Sequence, residues 1–314
     1  MRVLWFVNNP SNFRKQKGGY NGCGWISSME NAVSKNEEID LKVSFILDDE
    51  RFCITQGNVS YYPIRPKKEN LIRLLYNSIN FDTAFSLDTY NYYLCQMQKI
   101  IAASKPDIIH VFGSENIFGL VSQITDIPIV LHIQGVLGPY LNAFLPPFES
   151  WLTYIFKDRN ILSVYKRCRD RYHILRGANR EAFILQNIHN YIGRTEWDYR
   201  ITKLFNPEAN YYYGGEILRQ PFYTDECRSI PSKLKIVSTI SAPKYKGFDL
   251  ILKTVNLLLA KGNIDFVWHV YGNVTYEVSE QVSKYVVLKG VVDAESLKND
   301  ILTATVYVHP SYID

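Results

Sequence analysis

Short, unbroken apolar runs recur along this 314-residue chain, and between them apolar residues fall at helical spacing. A strand that is apolar at every position has both faces buried, the condition of a parallel sheet covered by helices on each side. The pattern predicts strands over residues 3–7, 41–47, 59–64, 108–112 and 129–132, with helices over 24–33, 69–79, 89–104 and 117–124. From 146 to about 190 the chain reads as helical, and a strand-like HNYIGR and a helix over 196–204 follow. Residues 206–232 are rich in Pro, Gly and Tyr, have no period, and read as a passage between domains. The alternation then restarts, with strands over 234–240, 266–271, 286–288 and 306–309. A helix opens at Gly247 and carries Phe248, Ile251, Leu252, Val255, Leu258 and Leu259 on one face, and another spans 294–304.

Single cores rarely grow past roughly 250 residues, so two doubly wound α/β domains are expected. The first covers 1–205 with a helical insertion at about 146–190, the second covers 233–314, and 206–232 joins them. About 80 residues hold at most three β-α units, so the second domain is expected to be incomplete. Apolar residues make up 46% and charged residues 21%, which excludes a disordered chain. The formal charge of +4 suits anionic ligands such as nucleotide diphosphates, or a weak preference for membrane surfaces, and is too small for a dedicated nucleic-acid binder. Five dispersed cysteines with no CxxC pair argue against a zinc site or disulfide scaffold and suit a reducing cytoplasm. No run approaches ~18 apolar residues, so no membrane-spanning helix is expected, and the first run is too short for a signal peptide.

Candidate chemistry gathers at loops that follow strands. Lys246-Gly247 opens a long helix, where backbone N–H groups, the helix dipole and an ammonium would hold an anion. A solvated lysine beside a helix-starting glycine is the plainer alternative. Gly18-Gly19 would let backbone approach a phosphate, or would simply make a surface loop. Gly22 and Gly24 imitate a dinucleotide fingerprint but lie too far past the first strand for its tight turn, which argues against a nicotinamide site. Gly272 and the pair Lys289-Gly290 end predicted strands, where open sheets bind ligands, and both also read as turns. His132 ends a strand before Gln134-Gly135, whereas His110 lies inside one and reads as a core residue. Six histidines show no metal-ligand spacing, and Asp48 to Glu50, the one acidic cluster suited to a metal, reads better as a polar strand end. Lys166, Arg167, Arg169, Arg171, Arg176 and Arg180 interleave with Tyr165, Tyr172, Ile174 and Leu175. That run reads as a solvated helix face or as a contact with anionic lipid.

Taken in order, these segments resemble the retaining GT-B glycosyltransferases of family 4 over essentially the whole chain. KLKIVSTISAPKYKGFDLILKT, FVWHVYGN and VVLKGVVDAESLKNDILTATVYVHPSYID carry most of the likeness. KPDIIHVFGSE, VLHIQG and IGRTEWD add to it, the last being similar to a bacterial subgroup that builds surface polysaccharides. The resemblance implies two Rossmann-like domains facing a cleft. It also implies transfer, with retention and without a metal, from a nucleoside diphosphate sugar to a glycan or lipid-linked acceptor. It places Gly18, Gly19, Lys246, Gly247, Gly272, Lys289 and Gly290 at the donor, His132 as a catalytic cleft histidine that touches the donor sugar, Asp314 as a catalytic acidic residue and Glu115 on the acceptor side.

Two departures qualify it. The family's usual arginine falls on Ser241, and Asp314 stands at the first of two glutamates of which the second would lie beyond the last residue. The parent protein is therefore expected to be an enzyme in the cytoplasm or at the inner face of the plasma membrane, and this chain a fragment of it that is inactive or nearly so. A sugar-nucleotide epimerase of the same architecture and a non-catalytic sugar-nucleotide binder are the alternatives.

Overall fold

The computed structural model describes residues 1–13, 24–68, 81, 83–158, 160–241, 245–262, 264–275 and 278–312. The expected helix over 69–79 lies outside them, as do Gly18, Gly19 and Asp314. The chain divides into two compact units. One comprises Met1–Lys15, Trp25–Leu141 and Ile155–Ile217; the other comprises Gln16–Gly24, Asn142–Tyr154 and Leu218–Asp314.

The first unit is built on an eight-stranded sheet in the order β3-β4-β2-β1-β5-β6-β7-β8. The strands are β1 (Arg2–Phe6), β2 (Asp40–Ile46), β3 (Ile54–Gln56), β4 (Val59–Ile64), β5 (Ile108–Phe112), β6 (Ile129–His132), β7 (Asn190–Gly193) and β8 (Asn210–Tyr213). All neighbours pair in parallel except β3, which runs antiparallel to β4 at one edge. Both faces are covered, as unbroken apolar strands require. Leu4 and Phe6 of β1 enter a core with Ile109, Val111, Leu131, Ile184 and Leu185, while Val3 and Trp5 enter another with Val43, Phe45 and Ile26. The helices that precede the second sheet in the chain are α1 (Gly24–Val33), α2 (Leu87–Ser104), α3 (Leu137–Ala143), α4 (Trp151–Ile155), α5 (Ile161–Asn187) and α6 (Glu196–Phe205). Thr195 caps α6 in a capping box with Asp198, whose carboxylate also accepts from the amide of Arg194 at 2.8 Å.

Two expectations need correction here. The passage over 206–232 contains β8, which pairs with β7. A half-exposed edge strand has no face buried throughout, so Asn210–Tyr213 shows no alternation to detect. Residues 117–124 form a 3-10 segment, Ile117–Gln123, rather than an α-helix, and the buried run Ile117–Val121 faces the core.

The second unit has a four-stranded parallel sheet, β11-β10-β9-β12, made of β9 (Leu234–Thr239), β10 (Phe266–Tyr271), β11 (Val286–Gly290) and β12 (Val306–Tyr307). Helices α7 (Phe248–Lys261), α8 (Glu280–Ser283) and α9 (Ala294–Leu302) accompany it. Phe248, Ile251 and Val255 of α7 pack on Ile236, Trp268 and Val270. On the other face, Leu297 and Ile301 of α9 cover Val237 and Tyr271.

Backbone crowding fixes two glycines of this unit. Gly247, at φ 71°, caps α7 where a Cβ would lie 1.9 Å from the carbonyl oxygen of Pro310. Gly272, at φ 121°, ends β10 where a Cβ would lie 1.9 Å from the carbonyl oxygen of Ile240. Tyr312 completes the first clamp. Its amide donates to the carbonyl of Tyr245 at 2.9 Å and its hydroxyl to Asp249 at 2.8 Å. Positive φ and overlap together predict that Gly247→Ala and Gly272→Ala each destabilise the chain by at least about 2 kcal/mol. A lowered midpoint of urea unfolding checks this; an unchanged midpoint would leave these glycines with no structural role.

Candidate active site

In an open parallel sheet, polar groups collect outside the carboxyl ends of the strands, at the point where the strand order reverses. The first unit reverses between β1 and β5, since β2 lies on one side of β1 and β5 on the other. The loops there hold a buried polar cluster. Asn8 follows β1; its side chain donates to the Glu115 carboxylate and accepts from Asn116 at 2.6 Å. Gly113 takes φ 83°, and the Glu115 carboxylate lies over it, 2.2 Å from where a Cβ would stand. Arg180 of α5 donates to the Glu115 carbonyl at 2.5 Å.

Glu181, the next residue of α5, is 1% exposed and ties two loops together. One carboxylate oxygen accepts from Ser114 Oγ at 2.6 Å and the other from the amide of Leu137 at 2.6 Å. The second bond caps the first turn of α3 with an anion supplied from another helix. Burial raises the Glu181 carboxyl to about 7, Ser114 and the Leu137 amide pull it down, and the nearby Glu115 adds to the rise. Burial also raises the Glu115 carboxyl.

His132 ends β6 in this cluster and is 2% exposed. Its ring stands 5.6 Å from that of His110 and parallel to it, and 4.9 Å from Trp25 of α1. Desolvation lowers His132 to about 4, with Arg194 adding to the effect and Asp198 opposing it, so the ring is neutral at neutral pH. Burial and the neighbouring His132 take His110 to about 3. Several buried atoms have no hydrogen-bond partner among the described residues: both nitrogens of His132, Nε2 of His110, Oε2 of Glu115, Nε2 of Gln134 and Oγ of Ser11. Native interiors rarely leave such groups unpaired, so those at the carboxyl ends of β5 and β6 make this end of the sheet a candidate polar site. His110 is buried between Trp5 and Phe112, as a core residue would be, but its Nε2 has no hydrogen-bond partner among the described residues.

The second unit reverses between β9 and β12, and a pocket of about 870 Å³ opens at the carboxyl ends of its strands. Lys246, Gly272 and Gly290 all line it, and Gly247 stands behind Lys246 at the start of α7. Lys289 does not line it, but points outward from the edge strand β11. Ser241, where the resemblance implies an arginine, also lines the pocket. A second cation nevertheless reaches it. Arg219, from the passage before β9, lines the pocket with its guanidinium 5.6 Å over the ring of Phe222. Phe222, Tyr271, Val292, Leu297 and Ile301 supply an apolar wall. Lys246 Nζ lies 5.2 Å from the centre of the Tyr245 ring. No aspartate or glutamate lines the pocket among the described residues, and no group of three His, Cys, Asp or Glu among them is placed to hold a metal. Arg219 escaped the sequence reading because it sits in an aperiodic stretch. Its spacing from Phe222, with Pro221 between, is the only local trace.

No protein-family model matches this sequence, and no curated protein matches it. Solved structures do. Sucrose-phosphate synthase from Thermosynechococcus elongatus aligns at TM-score 0.58 and 12% identity, covering 99% of this chain and 75% of that one. TarM aligns at TM-score 0.56 and 13% identity over 99% of this chain and 80% of its own. WaaG, a glycosyltransferase involved in lipopolysaccharide biosynthesis, aligns at TM-score 0.52 and 10% identity over 99% and 75%. The chain has the GT-B fold of these glycosyltransferases, with two Rossmann-like units.

The histidine and the glutamate of the crevice give opposite pH signatures. His132 falls from 6.5 to about 4 on folding, so its contribution is full above pH 6.5 and is lost as pH falls toward 4. Glu181 rises from 4.5 to about 7, so its contribution is full below pH 4.5 and is lost as pH rises through 7. Between pH 6.5 and 4.5, His132→Phe is expected to reduce the acid-side loss of unfolding free energy by about 1.4 kcal/mol per pH unit. Urea unfolding of both proteins across that window measures it.

Proposed function

We propose that this chain is a glycosyltransferase that takes its sugar from a nucleoside diphosphate donor held in the pocket of the second unit. The observation that carries the reading is the pocket's composition. Two cations, Lys246 and Arg219, share it with an extended apolar wall, and no carboxylate lines it among the described residues. A diphosphate needs cations and backbone N–H groups, and a nucleoside needs a flat apolar surface. The volume falls within the roughly 300–1,000 Å³ of small-ligand sites. The start of α7 adds its first-turn amides and the positive end of its dipole.

In this reading the leaving diphosphate gains negative charge as the glycosidic bond breaks, and Lys246 and Arg219 stabilise it as it forms. The pair takes over what a single arginine at position 241 would do. Donor binding is then independent of a divalent ion, because the pocket has cations where a metal site would need carboxylates. The acceptor side is assigned to the crevice of the first unit. There Glu115 is the acceptor-facing carboxylate and neutral His132 a hydrogen-bonding group. The resemblance of the motifs supports retention of the sugar's configuration and a glycan or lipid-linked acceptor in surface-polysaccharide synthesis. WaaG, which shares the fold, is involved in lipopolysaccharide biosynthesis, a process of that kind.

Calorimetric titration with UDP, GDP and UDP-glucose tests the donor site. Micromolar or tighter binding of one nucleotide is expected in the presence of a chelator. Lys246→Ala and Arg219→Ala are each expected to weaken it by about 10–100-fold, the worth of one charge-assisted hydrogen bond. Binding that neither substitution changes would remove the diphosphate from this pocket.

A further inference from the structure

We propose that the N-terminal end of α5 is a docking surface for anionic lipid bilayers. The helix is 27 residues long, and its two ends differ in kind. Its C-terminal half is an internal element. Gly177, Glu181, Ile184 and Leu185 are buried, and Arg176 and Arg180 lie over the ring of Phe85 at 5.9 and 5.3 Å. Those two arginines therefore leave the basic run that the sequence suggested as a lipid contact. Arg167 leaves it too, since it donates to the Asp158 carboxylate and to the carbonyl of Ile155 at 3.2 Å.

What remains outside is a compact patch around the first turns of α5. Phe156 is 63% exposed, Ile161 83% and Leu162 70%, and Lys157, Lys166 and Arg169 are exposed beside them. At about 100° per residue, Ile161, Leu162, Lys166 and Arg169 fall within an arc of about 140° on one helix face. Large apolar side chains at the very start of a helix add nothing to the core when they point into solvent. Nor does Asn160 need them, since its side chain already caps the helix by accepting from the amide of Leu162 at 2.9 Å.

Charge identifies the occupant. Around the triad the exposed Lys157, Lys166 and Arg169 stand against Asp170, since the Asp158 carboxylate is taken by Arg167, a surplus of two. Positive charge therefore lies beside the exposed apolar triad. Apolar side chains entering the headgroup boundary, with cations at the phosphate level, are the signature of interfacial binding to anionic lipid. No helix among the described residues is long and apolar enough to cross a membrane, so the contact would be peripheral. The proposal does not depend on the transfer reading.

Co-sedimentation of the whole chain tests it, using vesicles of phosphatidylcholine alone and of phosphatidylcholine mixed equally with phosphatidylglycerol. Binding is expected only to the mixed vesicles, and it should weaken as salt is raised. Lys166→Ala with Arg169→Ala should lower partitioning roughly 30-fold, and Ile161→Asp with Leu162→Asp should abolish it. All four positions are solvent-facing, so thermal unfolding of both variants should match the parent. Equal binding to both vesicle types, or no binding to the mixed vesicles at low salt, would overturn the proposal. So would self-association without lipid that Ile161→Asp disrupts, because the patch would then serve a second copy of the chain.

Discussion

A parallel sheet covered on both faces leaves only its ends for chemistry. At the centre of the larger sheet, β1 and β5 send apolar side chains into cores on both faces. A polar side chain buried there needs a partner in the core, so most polar groups that could meet a ligand fall in or beside the loops that leave the carboxyl ends. The two strand-order reversals, one in each sheet, then decide which loops diverge enough to leave room for a ligand. The positions of both candidate sites follow from this one constraint.

The same constraint explains what was legible in the sequence. Mostly apolar runs mark strands at Val59–Ile64, Ile108–Phe112, Ile129–His132 and Phe266–Tyr271 with the bounds observed, because their burial leaves a nearly contiguous signal. Elements at the rim carry no such mark. Strands β3 and β8 lie at the two sheet edges, and each has at least one face open to solvent. Site residues divide in the same way. Lys246 and Gly272 sit where a strand or helix boundary announces them. Arg219 reaches its pocket from a segment with no period, and only tertiary packing brings it there.

Glu181 lies between these cases. It stands in a strongly basic helix, and a helix-face reading treats it as a surface charge. Yet Gly177, Glu181, Ile184 and Leu185 repeat at the spacing of a buried stripe, and a glutamate within such a stripe must have partners waiting in the core. Here they are the hydroxyl of Ser114 and the amide of Leu137. The signal was present in the spacing and was hidden by the surrounding arginines.

The two glutamates of the crevice show why burial alone does not make a site. Glu181 is the more deeply sealed of the two, but both of its oxygens are engaged, and it works as a brace between the loops after β5 and β6. Glu115 has one oxygen held by Asn8 while the other is closed off from water with no partner among the described residues. The neutral, unpartnered nitrogens of His132 belong to the same unit. A folded chain keeps such groups unpaired only if the surrounding structure holds them against the cost of about 1–3 kcal/mol each. The bonds from Glu181 and Arg180 of α5, together with Gly113 beneath the Glu115 carboxylate, supply that restraint. The satisfied glutamate fixes the loops on which the unsatisfied one and the histidine are held.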